Sequence, residues 1–206
     1  MHIFQIVILA LIQGMAELLP VSSSAHVIVA EKLMGVDPSS PEMTFLLVML
    51  HTGTMFAVLL YFRRRWLALW NQPAPERVTL VKGLAIATAV TGVVGLSLKK
   101  LIEVTVLADV PHGEIEHLFG NLPLIAASLA VVGVIILVAG SRKEGNAAMK
   151  GSNSLWIGAI QGLCLPFRGF SRSGATISMG MLTGISKGLA EEFSFALAVI
   201  LTPPVV

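Results

Sequence analysis

The stretch from Ile12 to His26 reads IQGMAELLPVSSSAH, and a similar stretch from Ile160 to Thr176 reads IQGLCLPFRGFSRSGAT. Both open with Ile-Gln-Gly, pass through Leu-Pro and end in a turn rich in serine and other small residues. The spacing around the proline differs, so the match indicates an internal repeat without proving a duplication. Each copy places ionisable side chains inside apolar sequence, and these are Glu17 and His26 in the first copy and Arg168 and Arg172 in the second.

The composition assigns the chain to the membrane proteins. Of its 206 residues, 55% are hydrophobic and only 13% are charged, and several apolar runs approach the length of about 20 residues that spans a bilayer. The formal net charge is +2, and the Lys and Arg residues sit in short clusters that set topology, which argues against nucleic-acid binding. A single cysteine, Cys164, excludes an internal disulfide and any site built from several cysteines. We therefore predict an all-α, polytopic integral membrane protein with one membrane domain over residues 1–206.

Apolar runs divide the chain into full spans and shorter helices. Residues 3–19 predict a short helix that ends at Pro20 and the Ser-rich turn, and residues 26–34 predict its returning arm. The cluster Arg63-Arg64-Arg65 directly follows an apolar run, so that end of the run is expected to be cytoplasmic. The last run, Phe193–Val206, is too short to span, so we expect a chain truncated at its C-terminus. The predicted full spans are Met43–Phe62, Leu80–Leu98 and Leu122–Gly140.

The order of these spans gives the two copies opposite orientations. The first copy precedes an outward-to-inward span, and the second follows the polar linker SRKEGNAAMK, which we expect on the cytoplasmic side. Inverted repeats with broken helices bring their break points together near the bilayer midplane. We therefore predict two inverted, re-entrant helix-loop-helix repeats, at about residues 1–98 and 122–206, with facing breaks. Beyond the second break, Ala175–Ser186 is predicted to be a helix in which Gly180 and Gly184 allow close helix packing.

Polar side chains of the first copy form a candidate catalytic group. Gln13 and Glu17 are four residues apart and therefore share a helix face. A carboxylate in an apolar segment is costly and marks a functional site by default, with a structural carboxylate as the alternative. The imidazole of His26 suits proton transfer or nucleophilic attack at neutral pH, with a packing histidine as the alternative. Three serines, Ser22, Ser23 and Ser24, lie between the acid and the imidazole.

The turn Ser171-Arg172-Ser173-Gly174 of the second copy is typical of a phosphate site. It precedes a predicted helix, so it offers free backbone N–H groups, hydroxyl donors and the positive end of the helix dipole. Arg172 adds a planar guanidinium that matches phosphate oxygens. The alternatives for such an arginine are a structural salt bridge and snorkelling to the headgroups, and snorkelling suits Arg168 better because it lies outside the Ser-Gly turn.

Together the two copies predict phosphoryl transfer on a substrate with a lipid tail. An acid, hydroxyls and an imidazole would lie opposite an arginine and an anion-binding turn, and the carboxylate is able to hold a divalent ion. Two other classes stay open. A carrier would flip a lipid phosphate or move an ion by alternating access, without releasing phosphate. A packing subunit without chemistry predicts that Glu17 and Arg172 contact other helices and leave no cavity.

The two motifs resemble those of the undecaprenyl-pyrophosphate phosphatases of the BacA/UppP type. The family pattern is an (E/Q)xxxE helix followed by PVSSxxH, and a PGxSRSxxT turn. The runs YFRRRW and FSFALAVILTPP also resemble the family, so the resemblance covers essentially the whole chain. The matching residues are Gln13, Glu17, Pro20, Val21, Ser22, Ser23 and His26 in the first motif, and Gly169, Ser171, Arg172, Ser173 and Thr176 in the second.

This resemblance implies hydrolysis of undecaprenyl pyrophosphate to undecaprenyl phosphate and inorganic phosphate on the outer face of a bacterial inner membrane. The reaction recycles the lipid carrier for peptidoglycan synthesis and is linked to bacitracin resistance. The resemblance implies a divalent cation, Mg²⁺ or Ca²⁺, held by Glu17 and Gln13, and it leaves a homodimer open. Ser23 and His26 are the candidates for nucleophile or general base, with water as a further possible nucleophile. The implied substrate-binding residues are Gln13, Ser22, Ser171, Arg172, Ser173, Gly174 and Thr176.

Arg168 departs from the family pattern, because it stands where the pattern has proline. The change loosens the turn but offers a second cation for the diphosphate. Family members also continue beyond this point with further membrane helices. Among the remaining polar residues, His51 is expected to line the same cavity, with helix packing as the alternative. The group His112, Glu114, Glu116 and His117 has a spacing that fits no standard metal site, and we expect a solvated loop.

Overall fold

The computed structural model describes residues 2–17, 19–71, 73–108 and 115–205, without the side chains of Arg65, Leu69, Glu116, His117 and residues 202–205. Every regular element in these ranges is helical. The α-helices are α1 (Ile3–Glu17), α2 (Ser23–Leu33), α3 (Pro41–Tyr61), α4 (Arg63–Trp70), α5 (Ala74–Thr105), α6 (Leu122–Gly140), α7 (Gly151–Cys164), α8 (Arg172–Leu182) and α9 (Lys187–Val205), and a short 3₁₀ helix covers Ile115–Leu118.

Three of the described helices, α3, α5 and α6, are long and apolar enough to cross a membrane. Large apolar side chains on their outer faces, such as Leu60, Val93 and Leu137, are exposed, as expected for surfaces that face lipid. The predicted all-α, polytopic membrane fold is therefore confirmed. The bounds of α6 equal the predicted ones, whereas α5 extends beyond Leu80–Leu98 at both ends. Pro75 starts α5 early because proline is favoured in a first helical turn, and its other end continues past the Lys99–Glu103 pair.

Helices α5 and α7 cross with their backbones nearly in contact. A small residue stands at every fourth position of α5 along the contact, in the order Gly83, Ala87, Thr91 and Gly95. A Cβ added at Gly158 of α7 would lie 2.5 Å from the Ala87 carbonyl oxygen, so only glycine fits there. The Thr91 hydroxyl donates to the carbonyls of Ala87 (2.7 Å) and Gly158 (3.0 Å), which ties the two helices together at this seam.

Two broken helical hairpins carry the repeated motifs. In the first, α1 packs against α2 across a break that includes Pro20, and in the second, α7 packs against α8 across a break that includes Pro166. The arms have 15 and 11 residues in the first hairpin and 14 and 11 in the second. These hairpins have the shape of the predicted re-entrant repeats. Their opposite orientations in a bilayer, and the division into repeats at about 1–98 and 122–206, stay predictions.

The structure differs from the sequence analysis in three places, and at one of them, the end of α8, the prediction was wrong. The run after α3 continues into a further helix, α4, because RRRWLALW has residues with good helix propensity and only a single-residue turn separates the two. Helix α8 ends at Leu182, before the predicted end at Ser186, and Gly184 has a φ of +92°, which is a glycine turn and not a helix-packing position. Helix α9 begins six residues before Phe193, at Lys187.

Candidate active site

The breaks of the two hairpins lie against each other. Arg172, the first residue of α8, places its Nη2 3.1 Å from Oε1 of Glu17, the last residue of α1. A second contact supports this approach, since a Cβ added at Gly174 would lie 3.0 Å from the Pro20 carbonyl oxygen. The predicted confrontation of the acid with the guanidinium is therefore present. A carboxylate at a helix C-terminus opposes the helix dipole, so Glu17 depends on cations and hydrogen-bond donors around it.

The second oxygen of Glu17 receives donors from its own hairpin. Ser23 Oγ donates to Glu17 Oε2 at 2.6 Å, and Gln13 Nε2 donates to the same oxygen at 2.8 Å. His51 of α3 is the nearest imidazole to the acid, with Nε2 3.8 Å from Oε2. Its Nδ1 lies 2.8 Å from the Leu47 carbonyl oxygen, and since a carbonyl only accepts, Nδ1 carries the proton and Nε2 faces Glu17.

A strained turn holds the serines of the first break. Ser22 has φ 63° and ψ 85°, and it is the only non-glycine residue with positive φ in the described ranges. Its Oγ lies 3.5 Å from Ser24 Oγ, and its carbonyl oxygen lies 2.8 Å from His26 Nδ1, which donates to it. His26 thereby braces the backbone of the Ser22 turn. The left-handed conformation directs Ser23 towards Glu17 at the start of α2.

The second break repeats part of this geometry and adds a helix cap. Ser171 Oγ lies 3.5 Å from Ser173 Oγ, the same separation as in the first break, and it also accepts from Gly174 N at 3.2 Å. Capping by Ser171 fixes the N-terminal turn of α8 beside the Arg172 guanidinium. Thr176 lies deeper, where its hydroxyl donates to the Arg172 carbonyl at 2.8 Å and meets Ser194 Oγ of α9 at 2.7 Å. Thr176 therefore supports α8 from behind.

A cavity of about 800 Å³ opens beside the two breaks. The first break contributes Glu17 and the three serines Ser22–Ser24 to its wall, and the second contributes the segment Cys164–Ser173 apart from Gly169. Helices α3 and α5 complete the wall with mostly apolar and small side chains, together with His51. A cavity of this size that is lined by both polar and apolar side chains suits an amphipathic ligand.

The structure brings most, but not all, of the predicted site residues to this cavity. His26 is exposed, does not line the cavity and makes no ion pair with Glu17. Gln13 and Gly174 are buried behind the wall, as Thr176 is. His51 lines the cavity, which confirms the prediction for it. His112 and Glu114 lie outside the described residues, as do the side chains of Glu116 and His117. The predicted residues on the wall are Glu17, Ser22, Ser23, Ser171, Arg172 and Ser173.

Sequence reasoning missed other polar side chains on the wall, among them Gln161 and Lys99. Gln161 is buried and donates to Thr91 Oγ1 at 3.3 Å, and its place in the repeated Ile-Gln-Gly could have marked it as the counterpart of Gln13. Lys99 lines the wall from α5, beside its partner Glu103. Arg168 also lines the cavity, which agrees with the second cation that the sequence offered and not with snorkelling to the headgroups.

Glu17 and Gln13 fit one end of a divalent-cation site. Gln13 is fully buried, and its Oε1 has no hydrogen-bond partner within the described part of the chain. The described residues contain no group of three or more His, Cys, Asp or Glu side chains suited to a metal. A carboxylate and an amide oxygen are ligands that a hard cation accepts, and Mg²⁺ commonly takes further ligands from phosphates.

Comparison with known proteins gives a consistent picture along the chain. A family model described as "Bacitracin resistance protein BacA" matches residues 6–203. The chain is 56% identical to "Undecaprenyl-diphosphatase 2" of Acinetobacter baylyi, over 100% of this chain and 73% of that relative. It is 34% identical to "Undecaprenyl-diphosphatase" of Desulfosudis oleivorans, over 97% of this chain and 74% of the relative. It is 35% identical to "Undecaprenyl-diphosphatase 1" of Burkholderia pseudomallei, over 96% of this chain and 71% of that relative.

Proposed function

The chain belongs to the family of the bacitracin resistance protein BacA, and we propose that it hydrolyses undecaprenyl diphosphate to undecaprenyl phosphate and inorganic phosphate. The observation that carries this function is the contact of Glu17 with both Ser23 and Arg172 at the wall of a large cavity. An acid, a hydroxyl and a guanidinium in mutual contact are the parts that phosphoryl transfer uses. Recycling of the lipid carrier for the cell wall, and bacitracin resistance, follow from the family.

The proposed location is the bacterial inner membrane, with the cavity open to the periplasmic side. Three helices able to cross a membrane support a multi-pass protein. The cluster Arg63–Arg65 at the end of α3 supports a cytoplasmic position for that end by the positive-inside rule. The apolar side chains that line the cavity would receive the polyprenyl tail, and membrane lipids would surround the exposed outer faces of the helices.

Binding of the diphosphate rests on the second break. Arg172 presents a planar guanidinium at the cavity wall, and the hydroxyls of Ser171 and Ser173 stand on either side of it in the chain. The first two backbone N–H groups of α8, those of Arg172 and Ser173, have no partner inside the helix and point out of its N-terminus, whereas the next one, that of Gly174, is capped by Ser171. These donors offset the negative charge of the terminal phosphate and the further charge that develops as the anhydride bond breaks.

Ser23 is the proposed nucleophile and Glu17 its general base. The hydrogen bond of 2.6 Å between Ser23 Oγ and Glu17 Oε2 is in the range from which a proton is transferred. A bond forms between Ser23 Oγ and the terminal phosphorus while the bond from that phosphorus to the bridging oxygen breaks. The hydroxyl proton passes to Glu17 and from there to the departing undecaprenyl phosphate.

Water then completes the turnover. Glu17 accepts a proton from a water molecule that attacks the phosphorus, the bond between phosphorus and Ser23 Oγ breaks, and the serine oxygen recovers a proton. Inorganic phosphate leaves, and the enzyme returns to its starting state. Arg172 stays beside Glu17 in both steps and stabilises the carboxylate whenever it is ionised.

His26 is proposed to act through the Ser22 turn. Its Nδ1 donates to the Ser22 carbonyl at 2.8 Å, its ring is exposed, and the cavity wall is formed without it. An imidazole in this place orients the serine row, which is Ser22, Ser23 and Ser24, and does not exchange protons with the substrate. His26 is therefore a positioning residue in this mechanism.

A divalent cation, Mg²⁺ or Ca²⁺, is proposed to accompany the substrate, with Glu17 and Gln13 Oε1 as its protein ligands. When bound, the cation would neutralise phosphate charge. Gln13 also donates through Nε2 to Glu17, so it orients the carboxylate whether or not a cation is present.

Phosphate release distinguishes this enzyme from the alternatives. Detergent-solubilised protein with Mg²⁺ is expected to release inorganic phosphate from undecaprenyl diphosphate and far less from undecaprenyl phosphate, whereas a carrier releases none from either. A carrier is not favoured, since the relatives are named diphosphatases. A packing subunit without chemistry is disfavoured by the cavity itself. Wild-type protein that binds the diphosphate and releases no phosphate would overturn the proposed function.

A further inference from the structure

The cavity wall carries cationic side chains besides Arg172 that have no part in the proposed reaction. A diphosphate carries the charge of two phosphates side by side, and Arg172 already pairs with Glu17 at 3.1 Å. Lys99, a second cation on the wall, has Glu103 as a partner at 3.6 Å. The third cationic side chain on the described wall is Arg168, which lies in the same break as Arg172, four residues earlier.

The Arg168 side chain is held against an aromatic ring. Its guanidinium carbon lies 4.1 Å from the centre of the Phe119 ring, within the range of a cation–π contact. Arg168 also acts electrostatically on Glu31 of α2, which is only 2% exposed. A guanidinium held on an aromatic face is preorganised and loses little freedom when it binds an anion.

The backbone below Arg168 is fixed as well. Gly169 has a φ of +93°, and a Cβ added to it would lie 2.7 Å from the Ile125 carbonyl oxygen of α6. The turn that carries Arg168 therefore packs tightly against α6 at Gly169, a position where only glycine fits without strain. Arg168, Arg172 and His51 of α3 all line this cavity, so both guanidiniums belong to one cavity wall.

From these contacts we infer that Arg168 binds the second phosphate of the substrate, the one that stays on the lipid, and makes the site selective for diphosphates over monophosphates. The inference rests on the proposed function and adds a specificity determinant to it. Ser23, Glu17 and Arg172 engage the phosphate that is attacked, while Arg168 receives its neighbour. A monophosphate cannot reach both arginine groups at once, so it gains only one of the two interactions.

Substitution of Arg168 tests this inference with inorganic ligands and with substrate. Arg168→Gln is expected to raise KM for undecaprenyl diphosphate by about tenfold or more, with kcat changed by less than about threefold. The reason is that Arg168 is inferred to bind the substrate and the transition state equally well. Competitive inhibition by inorganic pyrophosphate should weaken by a similar factor, whereas inhibition by inorganic phosphate should change by less than about twofold. Arg168→Lys keeps the charge and loses the planar fork, so it should fall between the two. Lys100→Gln, at an exposed position off the cavity wall, is the charge-matched control.

Phe119 gives a second test that a merely structural role would not pass. Phe119→Leu removes the aromatic face, so it should raise KM for the diphosphate several-fold in the wild-type background and have no further effect beside Arg168→Gln. Unchanged KM and unchanged pyrophosphate inhibition in Arg168→Gln would overturn the inference. Equal weakening of pyrophosphate and phosphate inhibition would also overturn it, since that result indicates a general electrostatic effect.

Binding measurements separate this inference from the proposed function. Stabilisation of the purified protein against heat by pyrophosphate needs no turnover, so it is measurable even in a protein that releases no phosphate. Wild-type protein that is stabilised by pyrophosphate, together with an Arg168→Gln variant that is not, would support the diphosphate site on its own. Equal stabilisation of the two proteins by pyrophosphate would refute the inference, whatever substrate the wild-type protein hydrolyses.

Discussion

Arg172 Nη2 lies 3.1 Å from Glu17 Oε1 and joins two residues that are 155 positions apart in the chain. The first residue of α8 is thereby fixed to the last residue of α1, at the place where both broken hairpins have free backbone groups. Both side chains are partly buried, with exposed fractions of 28% and 15%, so solvent screens the pair only in part. The same contact holds the predicted anion-binding turn beside the carboxylate.

Removal of either partner of this pair should stop the reaction. Glu17→Gln removes the proposed base and Arg172→Gln removes the proposed phosphate ligand, and each is expected to lower kcat for undecaprenyl diphosphate by about 10³-fold. Arg172→Lys keeps the charge without the fork and should retain more activity than Arg172→Gln. The exposed Arg142→Gln and Glu42→Gln variants are charge-matched controls. Turnover near the wild-type rate in either Gln variant at position 17 or 172 would refute the assignment.

Ser23 should form a covalent phosphoenzyme. Ser23→Ala is expected to abolish phosphate release, because the hydroxyl bonded to Glu17 at 2.6 Å is the proposed nucleophile. Ser24→Ala is the matched control, since Ser24 lines the same cavity but makes no hydrogen bond to Glu17. Rapid acid quench followed by mass spectrometry should find a phosphate on the segment containing Ser23. A fully active Ser23→Ala enzyme would leave water as the nucleophile.

His26 should be replaceable by a residue that keeps its hydrogen bond. His26→Ala removes the donor to the Ser22 carbonyl and is expected to lower kcat by about tenfold or more, because the serine row loses its support. His26→Asn places an amide N–H near the position of Nδ1 and should recover most of the loss. If the His26 imidazole transferred a proton in the reaction, His26→Asn would be as inactive as His26→Ala. The remaining activity of His26→Asn would then lack one of the two slopes of the bell-shaped plot of kcat against pH.

A small substitution at the α5–α7 seam should destabilise the fold. Gly158→Ala forces a Cβ to within 2.5 Å of the Ala87 carbonyl oxygen, so the helices must separate, at a cost of about 1–3 kcal/mol. Gly133→Ala is the matched control, since it lies in α6 with no neighbouring atom within 4 Å of its added Cβ. This control should be neutral or slightly stabilising, because alanine favours helix over glycine. Thermal unfolding in detergent compares the two, and equal Tm values would contradict the close packing.

Removal of divalent cations tests the proposed cofactor. Treatment with EDTA is expected to lower turnover strongly, and Mg²⁺ or Ca²⁺ should restore it, because Glu17 and Gln13 are proposed to share a cation with the phosphates. Gln13→Leu should raise the cation concentration needed for half-maximal activity. Dialysed enzyme that keeps full activity in EDTA would exclude the cation from the reaction. The Gln13 side chain would then serve only to orient Glu17.

The long elements could be predicted from sequence because hydropathy alone determines where a membrane span lies. The span Leu122–Gly140 has its predicted bounds, and α3 begins only two residues before the predicted Met43. The contact of Glu17 with Arg172 could also be predicted, since both charges stand at breaks within apolar sequence and a buried charge requires a partner. Both predictions rest on large free energies, the burial of apolar spans in lipid and the cost of an unpaired buried charge, which neighbouring residues do not reverse.

The remaining errors concern directions, which spacing in the sequence does not determine. His26 and His51 are both imidazoles near apolar helices, yet only His51 faces the cavity, because rotation of each helix is set by its neighbours. Arg168 was left with two interpretations, a headgroup contact and a second cation for the diphosphate, because its aromatic partner Phe119 is distant in sequence. The seam between α5 and α7 was missed because small residues at every fourth position of an apolar run do not identify the partner helix.

The backbone contact at Gly158 also decides which side of the cavity is able to move. Helix α5 contributes to the cavity wall and α7 leads into the second break, and their tight seam is expected to make these two helices move together. Any widening that admits a long polyprenyl chain is then expected at α3, which lines the cavity with Thr44, Leu47, Val48 and His51. Displacement of α3 would carry His51 away from Glu17, which would couple lipid entry to the surroundings of the proposed catalytic base.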